Sequence, residues 1–326
     1  MKILLTGGAG FIGSHVLKHL VSLGHYVVVL DRLDHSGTLE RIKYHDIPTH
    51  KYSFVYHDLR APLNAVVASK IGEPDCIIHI AAMSHVDRSI SDPHNCAMEN
   101  VIGTVNLLDF ARKCKRLQHF IYFSTDEVFG PASGDNPGFK EWDRYCSANP
   151  YAASKAGAEE FCLAYANTYG IPLSITHTMN VYGPLQAGEK FIPSTIRKMM
   201  NGELITVHAD RTRTIPGKRT YIHVSDVCYG LAIVMAQKPC ADKYNICGEK
   251  EVDNLWVVKA ISNKLNLPYT YALVDFHSSR PGHDLRYALD GHKMESLGFQ
   301  HEYPFEVGIS DTVDWYLTHK EWFVNV

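Results

Sequence analysis

Tyr151 and Lys155 stand four residues apart in a stretch with helical spacing, so one helix face carries both. A tyrosine, with a reference pKa of about 10, is a poor base at neutral pH. A neighbouring ammonium favours its phenolate. Such a pair can take a proton from an alcohol while a hydride leaves the same carbon. A second set, Ser124-Thr125-Asp126-Glu127, closes the apolar run Phe120–Phe123. Thr125 can hydrogen-bond the same alcohol. Asp126 and Glu127 form an adjacent carboxyl pair, and environments that push their pKa values apart would leave one an acid and the other a base. A helix N-cap with first-turn carboxylates accounts for the same string. Beside Tyr151 and Lys155, the redox and acid–base reading is favoured.

Hydride chemistry needs an acceptor, and the N-terminus supplies its signature. Gly7, Gly10 and Gly13 form G-x-x-G-x-x-G between an apolar run and a helical stretch. The first permits a tight turn, the second a close approach to a pyrophosphate, and the third close packing of helix on strand. The helix N-terminal amides complete an anion site. Asp31 ends the next strand, where a carboxylate accepts from the adenosine ribose and repels a 2′-phosphate. NAD is therefore favoured over NADP, although Arg32 next to it is a residue type that holds such a phosphate. Asp58 falls where a third strand would meet the adenine edge, and a helix N-cap explains it nearly as well.

These residues need a scaffold that alternates strand and helix. Lys2–Thr6, Tyr26–Asp31, Phe54–Tyr56, Cys76–Ile80 and Phe120–Phe123 read as strands, with helical stretches at Phe11–Leu23, Leu63–Ile71, Asn95–Lys113 and Tyr151–Tyr169. The alternation predicts an α/β fold: a Rossmann doubly wound parallel sheet with a smaller C-terminal substrate-binding lobe. The expected boundaries are 1–178 for the NAD-binding domain and 179–326 for the lobe, with 220–236 returning to the sheet domain.

Composition narrows the partners. The 326 residues are 45% hydrophobic and 21% charged with a formal charge of −3, which suits an ordinary globular protein and gives no reason to expect nucleic acid. No apolar run approaches the roughly 18 residues of a membrane helix, and none at the N-terminus is long enough for a signal peptide. The eight cysteines form no C-x-x-C pair, and the 19 histidines show no metal spacing. No metal, no membrane and a reducing, cytoplasmic setting are the expectations.

The chain resembles the extended short-chain dehydrogenase/reductases, and within them the nucleotide-sugar 4,6-dehydratases. The carriers are TGGAGFIGSH at the start, PDCIIHIAAMSHVDRSI at 74–90, NVIGTVNLL at 100–108, STDEVFG at 124–130, PYAASKAG at 150–157, NVYGP at 180–184, EKFIP at 189–193 and RPGHDLRYALD at 280–290. Thr125-Asp126-Glu127 discriminates most. Sugar epimerases of this superfamily usually carry small or uncharged residues at the last two positions, and the decarboxylases carry Thr-Ser-Glu.

The resemblance implies bound NAD, a nucleoside-diphosphate sugar substrate, a homodimer and five catalytic residues, Thr125, Asp126, Glu127, Tyr151 and Lys155. It implies cofactor contacts from Phe11, Ile12, Asp31, Arg32, Asp58, Leu59, Ala81, Ala82 and Ser84, besides the glycines. Ser84, Asn180, Glu189, Lys190 and Phe191 match sugar and diphosphate positions; Arg219, Asn254, Arg280 and His283 match the nucleotide end. Arginine and lysine suit two phosphates, and solvated loop charge is the alternative for Lys190, Arg219 and Arg280. The implied reaction turns dTDP-glucose into its 4-keto-6-deoxy derivative. UDP-glucose is the alternative, since one methyl group is worth only about 1–3 kcal/mol to a pocket. A 4-epimerase, a UDP-glucuronate decarboxylase and a non-catalytic NAD-binding regulator are more distant readings. The chain departs from the family pattern at Met83 (usually Glu), Glu99 (usually Thr), Phe129 (usually Tyr) and Arg219–Ile222 (usually Arg-Asp-Trp-Leu), mostly toward the nucleotide end.

Overall fold

The computed structural model describes residues 1–34, 36–134, 136–275 and 285–324. Five strands alternate with helices in the first half: β1 (Lys2–Thr6), α1 (Phe11–Ser22), β2 (Tyr26–Asp31), α2 (Leu39–Tyr44), β3 (Tyr52–Tyr56), α3 (Ala65–Ile71), β4 (Cys76–His79), α4 (Val86–Ser91), α5 (Pro93–Ala97), α6 (Gly103–Ala111) and β5 (His119–Thr125). The long helix α7 (Pro150–Tyr169) then leads to β6 (Leu173–Thr178). Each strand shows its two faces to different cores. Ile3 and Leu5 of β1 join Val27 and Val29 of β2 on the α1 side, while Leu4, Val28 and Leu30 meet the α6 and α7 side. Each fully buried aliphatic chain contributes roughly 1.5–3 kcal/mol.

The sheet has seven parallel strands in the order β3-β2-β1-β4-β5-β6 and then β11 (Asp242–Ile246). The order reverses between β1 and β4, which opens a crevice at the carboxyl ends of these strands. The seventh strand, β11, comes from the segment that the sequence assigns to the lobe, and it pairs in parallel with β6. Helix α9 (Val224–Ala236) packs against α1 beneath the same sheet. The rest of the second half forms the lobe. It holds the parallel pairs β7 (Val181–Tyr182) with β10 (Ile222–His223) and β8 (Ile205–Ala209) with β13 (Tyr271–Asp275). The antiparallel pair is β9 (Lys218–Thr220) with β12 (Glu251–Asp253). Helices α8 (Phe191–Met200), α10 (Asn254–Leu265) and Phe305–Thr318 close a separate core around Leu185, Ile196, Val257 and Tyr316.

The stretch Asn95–Lys113 is not one regular helix. It starts at Pro93 under an Asp92 cap, and a π-helical turn, Met98–Ile102, separates α5 from α6. The wider turn aims Asn100 at the loop after β4, where its side chain accepts from Met83 N at 2.8 Å and donates to Met83 O at 3.1 Å. Within 220–224, Thr220 ends the lobe strand β9, Ile222–His223 form β10, and α9 follows at once.

Candidate active site

The turn after β1 is built for close approach. Gly7 has φ +72°, and a Cβ there would lie 2.7 Å from Ala81 N. A Cβ on Gly13 would lie 2.0 Å from Gly7 O, so only glycine lets α1 start this close to the strand. Gly10 caps α1 without any side-chain hydrogen bond, which leaves the first-turn amides for an anion. Asp31, nearly buried, accepts from Ala9 N at 3.0 Å and Leu33 N at 2.9 Å, one bond to each oxygen. Each oxygen keeps a lone pair for a ribose hydroxyl.

Arg32 is already engaged. Its guanidinium binds Asp34 at 2.5 Å and Glu99 at 2.8 Å, and Asp58 lies 3.7 Å away. Asp58 also pairs with Arg60 and takes the Arg60 amide at 3.0 Å, so it folds its own turn and caps no helix; Asn64 caps α3. This end of the crevice fits NAD. A 2′-phosphate would meet four carboxylates and an arginine with no free charge.

The reacting end sits where β5 meets α7. Thr125 caps a short 3₁₀ turn, accepting from Glu127 N at 3.3 Å and donating to Asp126 Oδ1 at 3.0 Å. Asp126 is 5% exposed, and burial, with the Glu127 charge beside it, pushes its carboxyl up to about 7. Glu127 accepts from Asn149 Nδ2 at 2.8 Å, and Asn149 is itself the cap of α7, bonded to Ala152 N. The two carboxyl groups thus differ as a general acid and base must: one is buried with a raised pKa, the other is held by an amide donor. Pro150 at the first helical position and Gly170 in the left-handed region past the end delimit α7.

Tyr151 and Lys155 share the buried face of α7. Burial and the Glu127 charge raise the Tyr151 phenol above its ordinary value, and a Thr125 hydrogen bond opposes them. Burial brings the Lys155 ammonium down to about 8. Lys155 Nζ donates to Phe123 O at 2.6 Å and lies 4.2 Å from the Tyr122 ring centroid. The phenol is therefore neutral in this state, and a positive charge brought beside it would favour the phenolate.

One cavity of about 850 Å³ runs from the glycine turn to the lobe. The glycines, Phe11, Ile12, Asp31, Arg32, Asp58, Leu59, Ala81, Ala82 and Ser84 line it at one end; Thr125, Asp126, Glu127, Tyr151 and Lys155 line its middle. Asn180, Glu189, Lys190, Phe191, Arg219 and Asn254 line its lobe side, while Arg280 and His283 lie outside the described residues. Arg219 is no solvated loop charge. It is buried, donates to Lys218 O at 2.7 Å and Leu285 O at 2.9 Å, and stacks 4.9 Å over Tyr287. Asn254 accepts from Tyr221 OH at 2.7 Å, and Asn180 holds a left-handed backbone with φ 36°. Glu189 lies 3.5 Å from His85 and 3.9 Å from Lys190.

The cavity also takes in residues that local spacing does not mark: His85, Arg41, Lys198, Thr206 and His208. Only His85 lies inside a recognisable motif. Arg41 gets there by a bond to Leu185 O at 3.0 Å, across 144 residues of chain.

A glycine-turn dinucleotide crevice that opens onto a Thr-Asp-Glu, Tyr and Lys cluster defines an extended short-chain dehydrogenase/reductase acting on nucleotide sugars. Residues 4–312 match the pattern of the GDP-mannose 4,6 dehydratase family, and the chain belongs to that family. It is similar to the dTDP-glucose 4,6-dehydratase of Neisseria meningitidis serogroup B, 38% identical over 347 residues that span 100% of this chain and 96% of the relative. The Escherichia coli dTDP-glucose 4,6-dehydratase is 36% identical over 354 residues, 100% of this chain and 96% of the relative. Among solved structures, the Streptomyces venezuelae dTDP-glucose 4,6-dehydratase DesIV, determined with NAD bound, superposes with a TM-score of 0.90 at 34% identity, covering 99% of this chain and 98% of that one.

Proposed function

We propose that this chain converts dTDP-glucose to dTDP-4-keto-6-deoxyglucose. The observation that carries the reading is the Asp126–Glu127 pair, one carboxyl raised by burial and the other held by Asn149, beside Tyr151 and Lys155 at one cavity. Lys155 supplies the positive charge that favours the Tyr151 phenolate, the phenolate takes the C4 hydroxyl proton, and Thr125 hydrogen-bonds the same oxygen. When bound, NAD accepts the C4 hydride and gives it back at C6, so no outside reductant is consumed. The C4 ketone acidifies the C5 proton. Glu127 removes it, Asp126 protonates the departing C6 hydroxyl, and water leaves. Glu127 then returns a proton to C5, which balances the hydride placed on C6.

The glycine turn and Asp31 hold the cofactor, and Ser84, Asn180, Glu189, Lys190 and Phe191 hold the sugar and diphosphate. Arg219, Asn254, Arg280 and His283 serve the nucleotide end. The division of labour runs between 1–178, with 220–236, and 179–326. The assembly is a cytoplasmic homodimer through the Asn95–Lys113 stretch and the Tyr151–Tyr169 helix, on which Ile102, Phe161 and Tyr169 are exposed; light scattering of the purified protein tests the dimer.

The test of the reaction is incubation with dTDP-glucose or UDP-glucose and no added reductant. The expected result is a product lighter by one water, with a C6 methyl signal by NMR, formed faster from dTDP-glucose. Unchanged substrate from a protein that still holds NAD overturns the reading.

A further inference from the structure

Behind the reacting residues lies a buried polar row where an apolar one would be expected. Ser124 on β5, His177 on β6 and Asn245 on β11 are in register across three adjacent strands. All three belong to the face whose other buried residues, Phe120, Tyr122 and Ile175, form the apolar core under α7. Glu159, on α7 and 0% exposed, meets this row. It accepts from Ser124 Oγ and from Tyr145 OH, with His177 Nε2 at 3.3 Å and Lys243 Nζ at 3.4 Å. Asn245 Nδ2 donates to Phe139 O and Asp290 O, so its Oδ1 receives Nδ1–H of His177, which fixes the ring. His177, Lys243, Tyr145 and Ser124 keep Glu159 ionised, far below the usual carboxylate range.

Burying several ionisable groups costs several kcal/mol each before pairing returns it, so stability alone favours an apolar row here. The position explains the expense. Tyr151, Lys155 and Glu159 follow one another at single-turn spacing on α7. Lys155 grips Phe123 O, and Glu159 grips the side chain of the next residue, Ser124. Thr125 comes immediately after. Two turns of α7 therefore fix the last two residues of β5 before the reacting strand end. Glu159 also stands as the counter-charge behind Lys155. The other ionisable groups around that lysine are Tyr151 and Cys162 on α7, Tyr122 on β5, His79 on β4 and Cys96 on α5, none of them an anion at neutral pH.

We propose that Glu159 is a positioning residue for the dehydratase reaction, holding Thr125 against Tyr151 through Ser124 and supplying the negative charge behind Lys155. This rests on the function proposed above, so the wild-type product assay comes first; an inactive wild type sinks that function and not this role.

With an active wild type, three variants are compared for kcat, KM, pH profile and Tm. Ser124→Ala leaves the ion pairs in place and is expected to lower kcat about tenfold with KM unchanged, since small misplacement of reacting groups is costly. Glu159→Gln is expected to lose more and to move the second step of the alkaline limb of kcat, the loss of the Lys155 proton near pH 8 that follows the Asp126 step near pH 7, down by about one pH unit, because Lys155 gives up its proton more easily. Glu159→Asp restores that limb. Wild-type kcat and pH profile in Ser124→Ala and Glu159→Gln, with only Tm changed, overturn the proposal. If Glu159→Gln does not fold, Ser124→Ala decides: wild-type kcat there overturns it.

Discussion

Arg32 and Glu99 form an ion pair, 2.8 Å between Nη2 and Oε2, that ties the turn after β2 to the π-helical turn ahead of α6. The Glu99 carboxylate is almost wholly buried, and its other oxygen accepts from Asn95 Nδ2 at 2.7 Å. The pair settles a question left open by adjacent residues alone. Arg32 beside Asp31 is the residue type that would hold a 2′-phosphate, yet its guanidinium is spent on Asp34 and Glu99. Glu99→Thr is expected to free one face of Arg32 and raise NADP affinity about tenfold, a gain of one charge-assisted contact. NAD affinity is expected to change less than about threefold. Calorimetric titration of the apoprotein checks both, and an unchanged NADP affinity counts against the role of Glu99.

The acid role proposed for Asp126 carries a pH window. Its carboxyl is raised to about 7 by burial and by Glu127, and the acid role requires the protonated form. Turnover is expected to fall above pH 7 as that proton is lost. Stability follows the same sign. A carboxyl whose native pKa lies above its unfolded value is most favourable at low pH, and its contribution is lost as pH rises through about 7. Asp126→Asn is therefore expected to reduce kcat by about 10²–10⁴, while raising Tm at pH 8 and not at pH 4. A Tm difference that is the same at both values argues against a raised carboxyl.

Buried histidines give an acid limit. Burial lowers His15, His119 and His223 to about 4 and His45 and His79 to about 3. These are bases with depressed native pKa values, so the unfolded chain takes up protons near pH 6.5 that the native state refuses. Their contribution is full above about pH 6.5 and is lost progressively down to about 3–4. His45 has neither ring nitrogen hydrogen-bonded among the described residues. His45→Leu is expected to raise Tm by a few degrees at pH 5 and little at pH 8. Thermal melts at the two pH values measure it, and parallel shifts refute it.

The central sheet was largely legible because its signals are local. Strands β1 and β2 are runs whose alternate side chains enter two cores, and the bounds Lys2–Thr6 and Tyr26–Asp31 follow directly from composition. The Tyr151 helix is legible from Asn149 and Pro150 at its start and Gly170 at its end. Strand β11 is harder, because Asp-Lys-Tyr-Asn-Ile lacks an apolar run. Its Lys243 and Asn245 face the Glu159 network, so the polar pattern that hides the strand is the pattern the network uses. The break in Asn95–Lys113 is hidden too. The π-helical turn is stabilised by Asn100 bonds to Met83 and Ser154, partners 17 and 54 residues away, which helical spacing does not record.

By itself the sequence determined the glycine turn, the carboxyl pair, the Tyr–Lys helix face and the alternation of strand and helix. Each depends on residues within one or two turns of one another, so backbone geometry fixes them once the chain is written. Tertiary structure alone decided which neighbours each charged group meets. It buried Asp126 enough to keep its proton, gave Arg32 to carboxylates, stacked Arg219 on Tyr287 and closed Glu159 among three strands. The reason is that a group's charge state depends on desolvation and on partners brought close by folding, and neither is encoded in spacing along the chain.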